Sequence, residues 1–259
     1  MRVDPIAGFE DGSQRIVGYK ATFETAASPP PHSHRRGQIA YCPDAPLRVT
    51  AGGSTFVLGR DQAAWIPGDL LHRLSATTRR TALNLYIEPA YASSLGNRPR
   101  VLGLGPLERE LIRTAAEAGV PDLADAAHGR LVEVLFDRLR PTQRLHGTLA
   151  IPSDRALARL QEEWLAGSGR DIDLSECAAR LAVSPRTLQR RVLAATGLTF
   201  RRWRQKVVLF AAVEPLLRGC PVKVLAADCG YASASAFVAA FRAVFGITPG
   251  ELQRQQVAE

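Results

Sequence analysis

Short apolar segments alternate with turn residues over the first third of the chain. Seven segments are rich in valine, isoleucine, threonine, phenylalanine and tyrosine, and glycine, proline and aspartate lie between them. Segments of this length, bounded by turn signals, are typical of β-strands. We expect them to form a small barrel or sandwich. They are Val17–Glu24, Gln38–Cys42, Leu47–Ala51, Ser54–Leu58, Ala63–Ile66, Leu71–Ala76 and Ala82–Ile87.

The pattern changes to a helical spacing near Pro89. Apolar residues then repeat every three or four positions, beginning with Leu107, Leu111 and Ile112 and continuing through residues 173–253. An all-β part followed by an all-α part predicts an α+β protein of more than one domain. We expect a β-barrel over residues 1–90, connecting helices over 91–150 and an all-α domain over 151–256.

The helical part contains an internal repeat. Residues 174–183 match residues 222–231 at an offset of 48, and the offset is 49 from Leu188 and its counterpart Phe237 onward. Each copy is a short helix, a tight turn and a second helix, which predicts two helix-turn-helix units. The second copy has one extra residue in its turn.

A single helical segment, Phe200–Leu217, joins the two copies. Its apolar residues form one stripe that can hold both units in a fixed register. Pro215 lies near the end of this segment, and proline inside a helix removes a hydrogen bond at a cost of about 3 kcal/mol. The helix is therefore expected either to kink at Pro215 or to end there.

The charge distribution indicates either a polyanionic partner or a solvated face, and charge alone favours the solvated face. The formal net charge is +8, and residues 184–206 hold seven basic side chains and no acidic one.

No segment approaches the roughly 18 consecutive apolar residues that a membrane span needs. The start of the chain also lacks the apolar region of a signal peptide. We therefore expect a cytoplasmic protein with no membrane partner.

Three motifs identify the helical part as similar to a known family. They are VSPRTLQRRV (183–192), TGLTFRRWRQ (196–205) and LAADCGYASASAFVAAFRAVFGITPGEL (225–252). With them, residues 154–254 resemble the DNA-binding domain of the AraC/XylS family of bacterial transcriptional regulators. The resemblance implies a regulator that binds double-stranded promoter DNA, with a cupin-like sensor barrel for a small-molecule effector, a homodimeric state and contact with RNA polymerase.

Side chains suited to DNA recognition cluster on the second helix of the first copy. Arginine pairs with guanine and glutamine with adenine, and hydroxyl and basic groups also bind phosphates. The predicted base-contacting residues are Arg186, Thr187, Gln189, Arg190 and Ser235. The predicted backbone-contacting residues are Ser184, Arg201, Arg204, Lys206, Ser233 and Arg242, and the alternative for Arg201, Arg204 and Lys206 is that they lie in solvent.

The two copies differ at these positions. The repeat register places Ser235 opposite Arg186, Val238 opposite Gln189, and Ala239 opposite Arg190. The second copy thus has almost no long polar side chains for base contacts. We expect the first copy to supply most of the sequence discrimination, and the second to add phosphate contacts, thymine-methyl contacts and a response to DNA bending.

The first part of the chain contains a histidine pattern that resembles that of cupins. His32 and His34 lie two residues apart, Gln38 follows, and His72 comes after a turn. Histidines at i and i+2 of a strand point to the same side, and a third can complete a divalent metal site. The other interpretations are a vestigial barrel rim and the polar wall of a ligand pocket. Tyr41, Trp65 and Tyr86 are candidates to line this pocket or to pack in the core.

No nucleophile elbow, P-loop or dinucleotide fingerprint is present, so no catalytic residue is assigned and no cofactor is required. Two alternatives to a ligand-responsive regulator remain: a metal-dependent cupin enzyme with an appended DNA-binding domain, and a dimeric architectural DNA-binding protein that senses nothing.

A dimer seam is expected at Leu131, Val134, Leu135 and Leu139, and the alternative is that these residues pack on their own barrel.

Overall fold

The protein consists of two compact units, described here from a computed structural model. One unit contains residues 1–52 and 58–145, and the other contains residues 53–57 and 146–259. The structure describes residues 14–24, 29–44, 46–76, 79–92, 95–120, 126–141, 149–167 and 173–257. No helix within these ranges has the length and apolar character needed to cross a membrane.

The first unit is rich in β-structure. Its strands are β1 Ile16–Phe23, β2 Gly37–Tyr41, β3 Leu47–Ala51, β5 Gln62–Ile66, β6 His72–Ser75, β7 Arg80–Ile87, β8 Arg100–Gly103 and β9 Arg140–Pro141, and its helices are α1 Pro89–Ala92, α2 Pro106–Ala118 and α3 Ala126–Arg138. Six strands form an antiparallel sheet in the order β1-β7-β2-β5-β8-β9, and β3 pairs with β6.

All seven predicted strands are present, each with ends within two residues of the prediction; one of them, Ser54–Leu58, is β4 and lies mostly in the other unit. The predicted change to helix at Pro89 missed strand β8, which pairs with β5 and extends the sheet beyond residue 90. Its four residues follow the breakers Gly96 and Pro99, and so short a segment carries little periodic signal.

Two helices cover one face of this sheet. Ile39 on β2 and Leu85 on β7 are paired neighbours, and both pack in one core with Ile112 of α2 and Val132 of α3. Gly18 on β1 allows α2 to approach closely, because a Cβ there would lie 2.2 Å from the carbonyl oxygen of Ala115.

The expected dimer seam is largely buried in this core. Leu135 and Leu139 are core residues and Leu131 packs against them, whereas Val134 is 44% exposed. The apolar stripe of α3 therefore faces its own sheet, which was the alternative interpretation. Of the four side chains, Val134 is the exposed one, and the seam itself stays a prediction.

The second unit is helical. Its helices are α4 Arg155–Leu165, α5 Leu174–Arg180, α6 Pro185–Thr196, α7 Phe200–Leu217, α8 Val222–Asp228, α9 Ala234–Phe245 and α10 Pro249–Val257, and a short pairing joins β4 Ser54–Leu58 to β10 Leu149–Ala150. The pairs α5–α6 and α8–α9 are the two predicted helix-turn-helix units. Their first helices begin and end 48 residues apart and their second helices 49 apart, which confirms the repeat register.

Helix α7 lies between the two copies and is buried along most of its length. Trp203, Val207, Phe210 and Leu216 are each at most 1% exposed. Pro215 lies in the last turn, and the helix ends at Leu217, so the second of the two expected outcomes is observed.

An ion pair fixes α4 against α6. The Asp154 carboxylate accepts hydrogen bonds from the backbone N–H groups of Ala156 and Leu157 at the start of α4, and it binds the Arg191 guanidinium through contacts of 2.6–2.8 Å. Burial alone would raise the pKa of Asp154, but the Arg191 guanidinium and the two N–H groups more than offset this, so the pKa lies below its ordinary value.

The turns of the two copies adopt the same backbone conformation with different residues. Ala182 has a φ of 51°, and its repeat counterpart Gly230 has a φ of 73°. In each turn the next residue, Val183 or Tyr231, donates its N–H back to the first helix of the copy. Only the second copy has glycine at this left-handed position, where a Cβ costs about 1–2 kcal/mol.

We expect Ala182→Gly to raise the free energy of unfolding of the helical unit by about 0.5–1 kcal/mol, because relief of strain exceeds the added entropy of the unfolded chain. Gly230→Ala is the matched control and should lower it by about 1 kcal/mol, since a Cβ there meets no atom within 4 Å and only backbone strain is added. Urea unfolding followed by tryptophan fluorescence measures both. A loss of stability in Ala182→Gly would contradict the assignment of strain.

Candidate nucleic-acid interface and histidine cluster

Helix α6 separates its side chains into a buried and an exposed face. Leu188 and Val192 are fully buried, and Ser184 caps the N-terminus by accepting the Thr187 N–H. The exposed side carries Arg186, Gln189, Arg190 and Leu193. An α-helix presenting polar and apolar groups on one face is suited to the DNA major groove.

This face borders an open groove of about 850 Å³. The groove brings together four of the predicted base-contacting residues and one predicted phosphate-contacting residue, Arg201. Its lining residues are Leu174, Arg186, Thr187, Gln189, Arg190, Leu193, Thr199, Phe200 and Arg201. Arg204 instead lines a neighbouring groove of about 340 Å³ that also contains Arg201 and Tyr231. Lys206 is half-buried on α7.

Two serines predicted to contact phosphates serve as helix caps. The Ser184 hydroxyl oxygen accepts the Thr187 N–H, and the Ser233 oxygen accepts the Ala236 N–H, both at 3.2 Å. A capping serine keeps its own O–H as a donor. A phosphate contact by either residue is therefore compatible with the cap.

The structure adds one residue to this surface and shows that one further arginine of α6 has a structural partner. Leu193 is 55% exposed in the groove, seven residues after Arg186 and hence on the same face, so helical spacing alone could have identified it. Arg191 is engaged by Asp154. The partner lies 37 residues away, and no local pattern in the sequence indicates the pair.

The second copy presents a different surface on the same scaffold. Phe237, Phe241 and Phe245 of α9 are buried. The exposed residues of this helix are Ser235, Ala236, Ala239, Arg242 and Ala243. Arg242 is the only charged residue of α9.

The first unit brings three histidines together. His32 and His72 form an antiparallel bridge in which each backbone N–H donates to the carbonyl of the other at 2.9 Å. The Asp69 N–H donates to the His34 carbonyl at 2.7 Å. Gly68 permits this approach, because a Cβ there would lie 2.1 Å from the Arg35 carbonyl oxygen.

One ligand atom from each imidazole lies within 4.8 Å of the others. Nδ1 of His34 lies 2.6 Å from the Arg36 carbonyl oxygen, and Nδ1 of His72 lies 2.7 Å from that of Leu70. Since only an N–H can bond to a carbonyl, each Nδ1 is the donor and the Nε2 of the neutral ring carries a lone pair. Nε2 of His72 is buried and has no hydrogen-bond partner.

Burial keeps His72 neutral. Burial lowers the pKa of this imidazole to about 4, and the neighbouring His34 and His32 also lower it. The hydrogen bond to the Leu70 carbonyl raises the pKa, but by less than burial lowers it. Around the cluster, the Tyr86 ring meets the His34 ring edge-on at 5.1 Å, and Gln38 lies directly opposite Tyr86 on paired strands.

Tyr41 and Trp65 do not join this cluster. Both belong to the core on the helix-covered face of the sheet, and the Trp65 indole N–H donates to the Gly96 carbonyl. Side chains alternate between the faces of a strand, so Gln38 and Tyr41, three residues apart, lie on opposite faces of β2. Core packing, the alternative weighed from the sequence, is what the structure shows for these two residues.

Comparisons with known proteins agree with this architecture. Residues 14–151 match the family described as AraC-like ligand binding domain, and residues 177–255 match a helix-turn-helix domain. Over 223 residues the chain is 34% identical to the HTH-type transcriptional regulator NimR of Escherichia coli K12, covering 85% of this chain and 81% of that protein. Over 110 residues it is 30% identical to the HTH-type transcriptional regulator RipA of Corynebacterium glutamicum, covering 42% of this chain and 33% of that protein.

A structure of ToxT from Vibrio cholerae is similar with a TM-score of 0.40 and 10% identity, covering 95% of this chain and 100% of that chain. The ligand-binding match alone spans more than half of the chain, and the alignment with NimR covers most of both proteins. The chain therefore belongs to the AraC family of DNA-binding transcriptional regulators, with an AraC-like ligand-binding domain ahead of its helix-turn-helix domain.

Proposed function

We propose that the first helix-turn-helix unit reads the operator sequence and that the second mainly positions the protein on the phosphate backbone. The observation that carries this proposal is the groove along α6, where Arg186, Gln189, Arg190 and Leu193 line one face. Each good bidentate contact to a base contributes about 1–3 kcal/mol of discrimination. Two arginines and a glutamine thus account for a large part of the specificity of an ordinary regulator.

The contribution of the second unit is different in kind. Ser235 can donate one hydrogen bond to a base, and the exposed alanines of α9 can contact thymine methyl groups. Arg242 is suited to a phosphate, which positions the protein without reading sequence. For the same reason, we assign five further residues to contacts with the DNA phosphate backbone: Ser184, Ser233, Arg201, Arg204 and Lys206.

Arg190→Ala and Arg242→Ala test this division. We expect Arg190→Ala to reduce the preference for the DNA upstream of the protein's own gene over a scrambled duplex by about 5- to 150-fold, the loss of one base contact. Arg242→Ala should weaken binding to both duplexes equally and reduce the slope of log affinity against log salt by about 1. Fluorescence anisotropy at several salt concentrations measures both quantities. Equal weakening on both duplexes by Arg190→Ala would show that Arg190 contacts only phosphate.

Leu193 should read thymine through its 5-methyl group. Replacing the contacted thymine by deoxyuridine removes only that methyl, and loss of one buried methyl group costs about 0.8 kcal/mol, or roughly fourfold in affinity. We expect a single deoxyuridine to weaken wild-type binding by this amount and to leave binding by Leu193→Ala unchanged. The measurement is the affinity of both proteins for operators in which each thymine in turn is replaced by deoxyuridine. If every replacement weakens wild-type and Leu193→Ala binding by the same factor, the contact is excluded.

We propose that the first unit senses a ligand and that binding shifts the population of arrangements competent for DNA. The supporting observations are the match to a ligand-binding domain and the buried polar cluster formed by His34, Gln38, His72 and Tyr86.

The comparisons point to a regulator rather than an enzyme. A regulator of promoter DNA would act in the cytoplasm with RNA polymerase. The homodimer inferred from the sequence is retained as part of this proposal, and Leu107 on α2 and Val134 on α3 are exposed apolar side chains available to it.

We also propose that His32, His34 and His72 bind a divalent metal ion. The fit rests on the buried, unpartnered Nε2 of His72 and on the Nδ1 groups that donate to backbone carbonyls, an arrangement that orients imidazole for a metal. The present separation of up to 4.8 Å must close to about 3.3 Å, the spacing of nitrogens around four-coordinate zinc. His32 is only half-buried, which leaves the site open to solvent on one side.

Cobalt(II) provides the test of this metal site. We expect the full-length protein, stripped with a chelator, to bind about one cobalt per chain and to show the visible d–d absorption of a low-coordinate site. His32→Ala should lose this absorption, whereas His128→Ala, on helix α3, should retain it. Equal cobalt binding by both variants would exclude the cluster as the ligand set.

A further inference from the structure

The two helix-turn-helix copies meet at an open groove of about 340 Å³, called the junction groove from here on. The start of α5 in the first copy, helix α7 and the turn of the second copy contribute to its lining. It shares Leu174, Phe200 and Arg201 with the groove along α6, so the two grooves form one continuous surface. A duplex that lies on α6 and continues toward the second copy therefore passes over the junction groove. Among its lining residues are Asp173, Arg201, Arg204, Gln205 and Tyr231.

Tyr231 lines the junction groove from the turn of the second copy. Its ring packs edge-on against the buried Phe237, with 5.4 Å between the ring centroids. The side-chain amide of Gln205 on α7 donates to its hydroxyl oxygen at 3.2 Å. This contact uses an acceptor position of the hydroxyl and leaves its one proton unused. Among the described residues no further hydrogen bond involves this hydroxyl, so its proton is available to a ligand.

The turn itself does not need this hydroxyl. The repeat register pairs Tyr231 with Val183 of the first copy, which has no polar side-chain group. The Tyr231 N–H donates to the Ala226 carbonyl, and the Val183 N–H donates to the Ala178 carbonyl in the same way, both at 2.9–3.0 Å. The first copy thus forms the same turn without a hydroxyl, and only the second copy presents one to the junction groove.

The charge of the junction groove matches that of one phosphate. Among the described lining residues, Arg201 and Arg204 are positive and Asp173 is negative, which leaves a net charge of +1. The Asp173 carboxylate is already engaged as the N-cap of α5, where it accepts the Glu176 N–H at 2.9 Å. A DNA phosphodiester has a single negative charge, and its free oxygens accept hydrogen bonds from arginine and hydroxyl groups.

We propose that the junction groove binds one phosphate of the operator and that Tyr231 donates its hydroxyl proton to that phosphate. Gln205 positions the hydroxyl, because its amide occupies an acceptor side and the proton then points away from it. Arg201 and Arg204 supply the compensating charge. The proposal deepens the assignment of these two arginines to the phosphate backbone and rests on it. It identifies a contact that fixes where the duplex crosses from the first copy to the second.

A methylphosphonate scan locates the phosphate. This replacement exchanges one charged phosphate oxygen for a methyl group, so it removes the charge and an acceptor at a single position. The probe is a duplex selected from a random pool for binding to the full-length wild-type protein, and fluorescence anisotropy measures the affinity. We expect one position between the base pairs contacted by the two copies at which wild-type binding weakens by about tenfold.

Tyr231→Phe removes only the hydroxyl and should weaken binding to the unmodified duplex by about 5- to 20-fold. At the sensitive phosphate, methylphosphonate should cost this variant about threefold less than it costs the wild type, because one donor to that phosphate is already lost. The slope of log affinity against log salt should not change, since no charge is removed. The matched control is Tyr19→Phe, an exposed tyrosine on β1 of the first unit, which should bind like the wild type. Equal methylphosphonate losses in wild type and Tyr231→Phe at every position would overturn the contact.

Gln205→Glu tests the positioning role of the amide. A carboxylate only accepts hydrogen bonds, so it would draw the Tyr231 proton away from the phosphate. In this background we expect Tyr231→Phe to change the affinity by less than about twofold, whereas it is costly in the wild-type background. The same cost in both backgrounds would show that Gln205 does not position the hydroxyl.

The outcomes distinguish this proposal from the assignment on which it rests. If Arg201→Ala leaves the salt slope unchanged, the backbone assignment fails and the junction site fails with it. If that slope falls by about 1 but no phosphate depends on Tyr231, only the junction site is overturned. The wild-type scan decides the question even if Tyr231→Phe fails to fold, since the lack of any sensitive phosphate between the two sets of base pairs would exclude the site.

Discussion

Helix α7 determines the geometry of the DNA-binding unit, because every residue from Val207 to Glu214 is buried and both helix-turn-helix copies pack against the helix. A helical segment that is buried all round has no free face and cannot rotate or slide without exposing part of its surface to water. The Trp203 indole N–H further fixes it by donating to Gln161 at 2.9 Å, and Gln161 in turn donates to the Ala150 carbonyl. The second helices of the two copies, α6 and α9, are thus held at a spacing that the buried residues of α7 define.

The same constraint explains why the two copies can differ so strongly in chemistry. Leu188 and Val192 in the first copy, and Phe237 and Phe241 in the second, are buried at equivalent positions, and these residues preserve the scaffold. The outward positions are released from packing and carry arginine and glutamine in one copy and alanine in the other. The shared scaffold and the divergent surface chemistry of the two copies therefore lie on opposite faces of the same helices.

Sequence patterns predicted the elements that depend on local periodicity. The seven strands and the repeated helices follow from alternation and from an offset that one turn residue changes from 48 to 49. The patterns could not show whether the apolar stripe of α3 packs against a second protomer or against its own sheet. The structure was needed to show that Leu135 packs against its own sheet. Contacts between distant residues were also inaccessible, as with Asp154 and Arg191, because a charged side chain looks the same in sequence whether it meets a carboxylate or solvent.

The outer face of α9 has a consequence for how this protein can change over time. Ala236, Ala239 and Ala243 are exposed on a helix whose stability comes from the phenylalanines on its other side. A polar side chain introduced at any of them would disturb little packing, and changes at exposed positions of this kind are usually close to neutral for stability. New polar side chains can therefore appear on this face of α9 at little cost in stability, so the surface chemistry of the second copy can change while its scaffold stays the same.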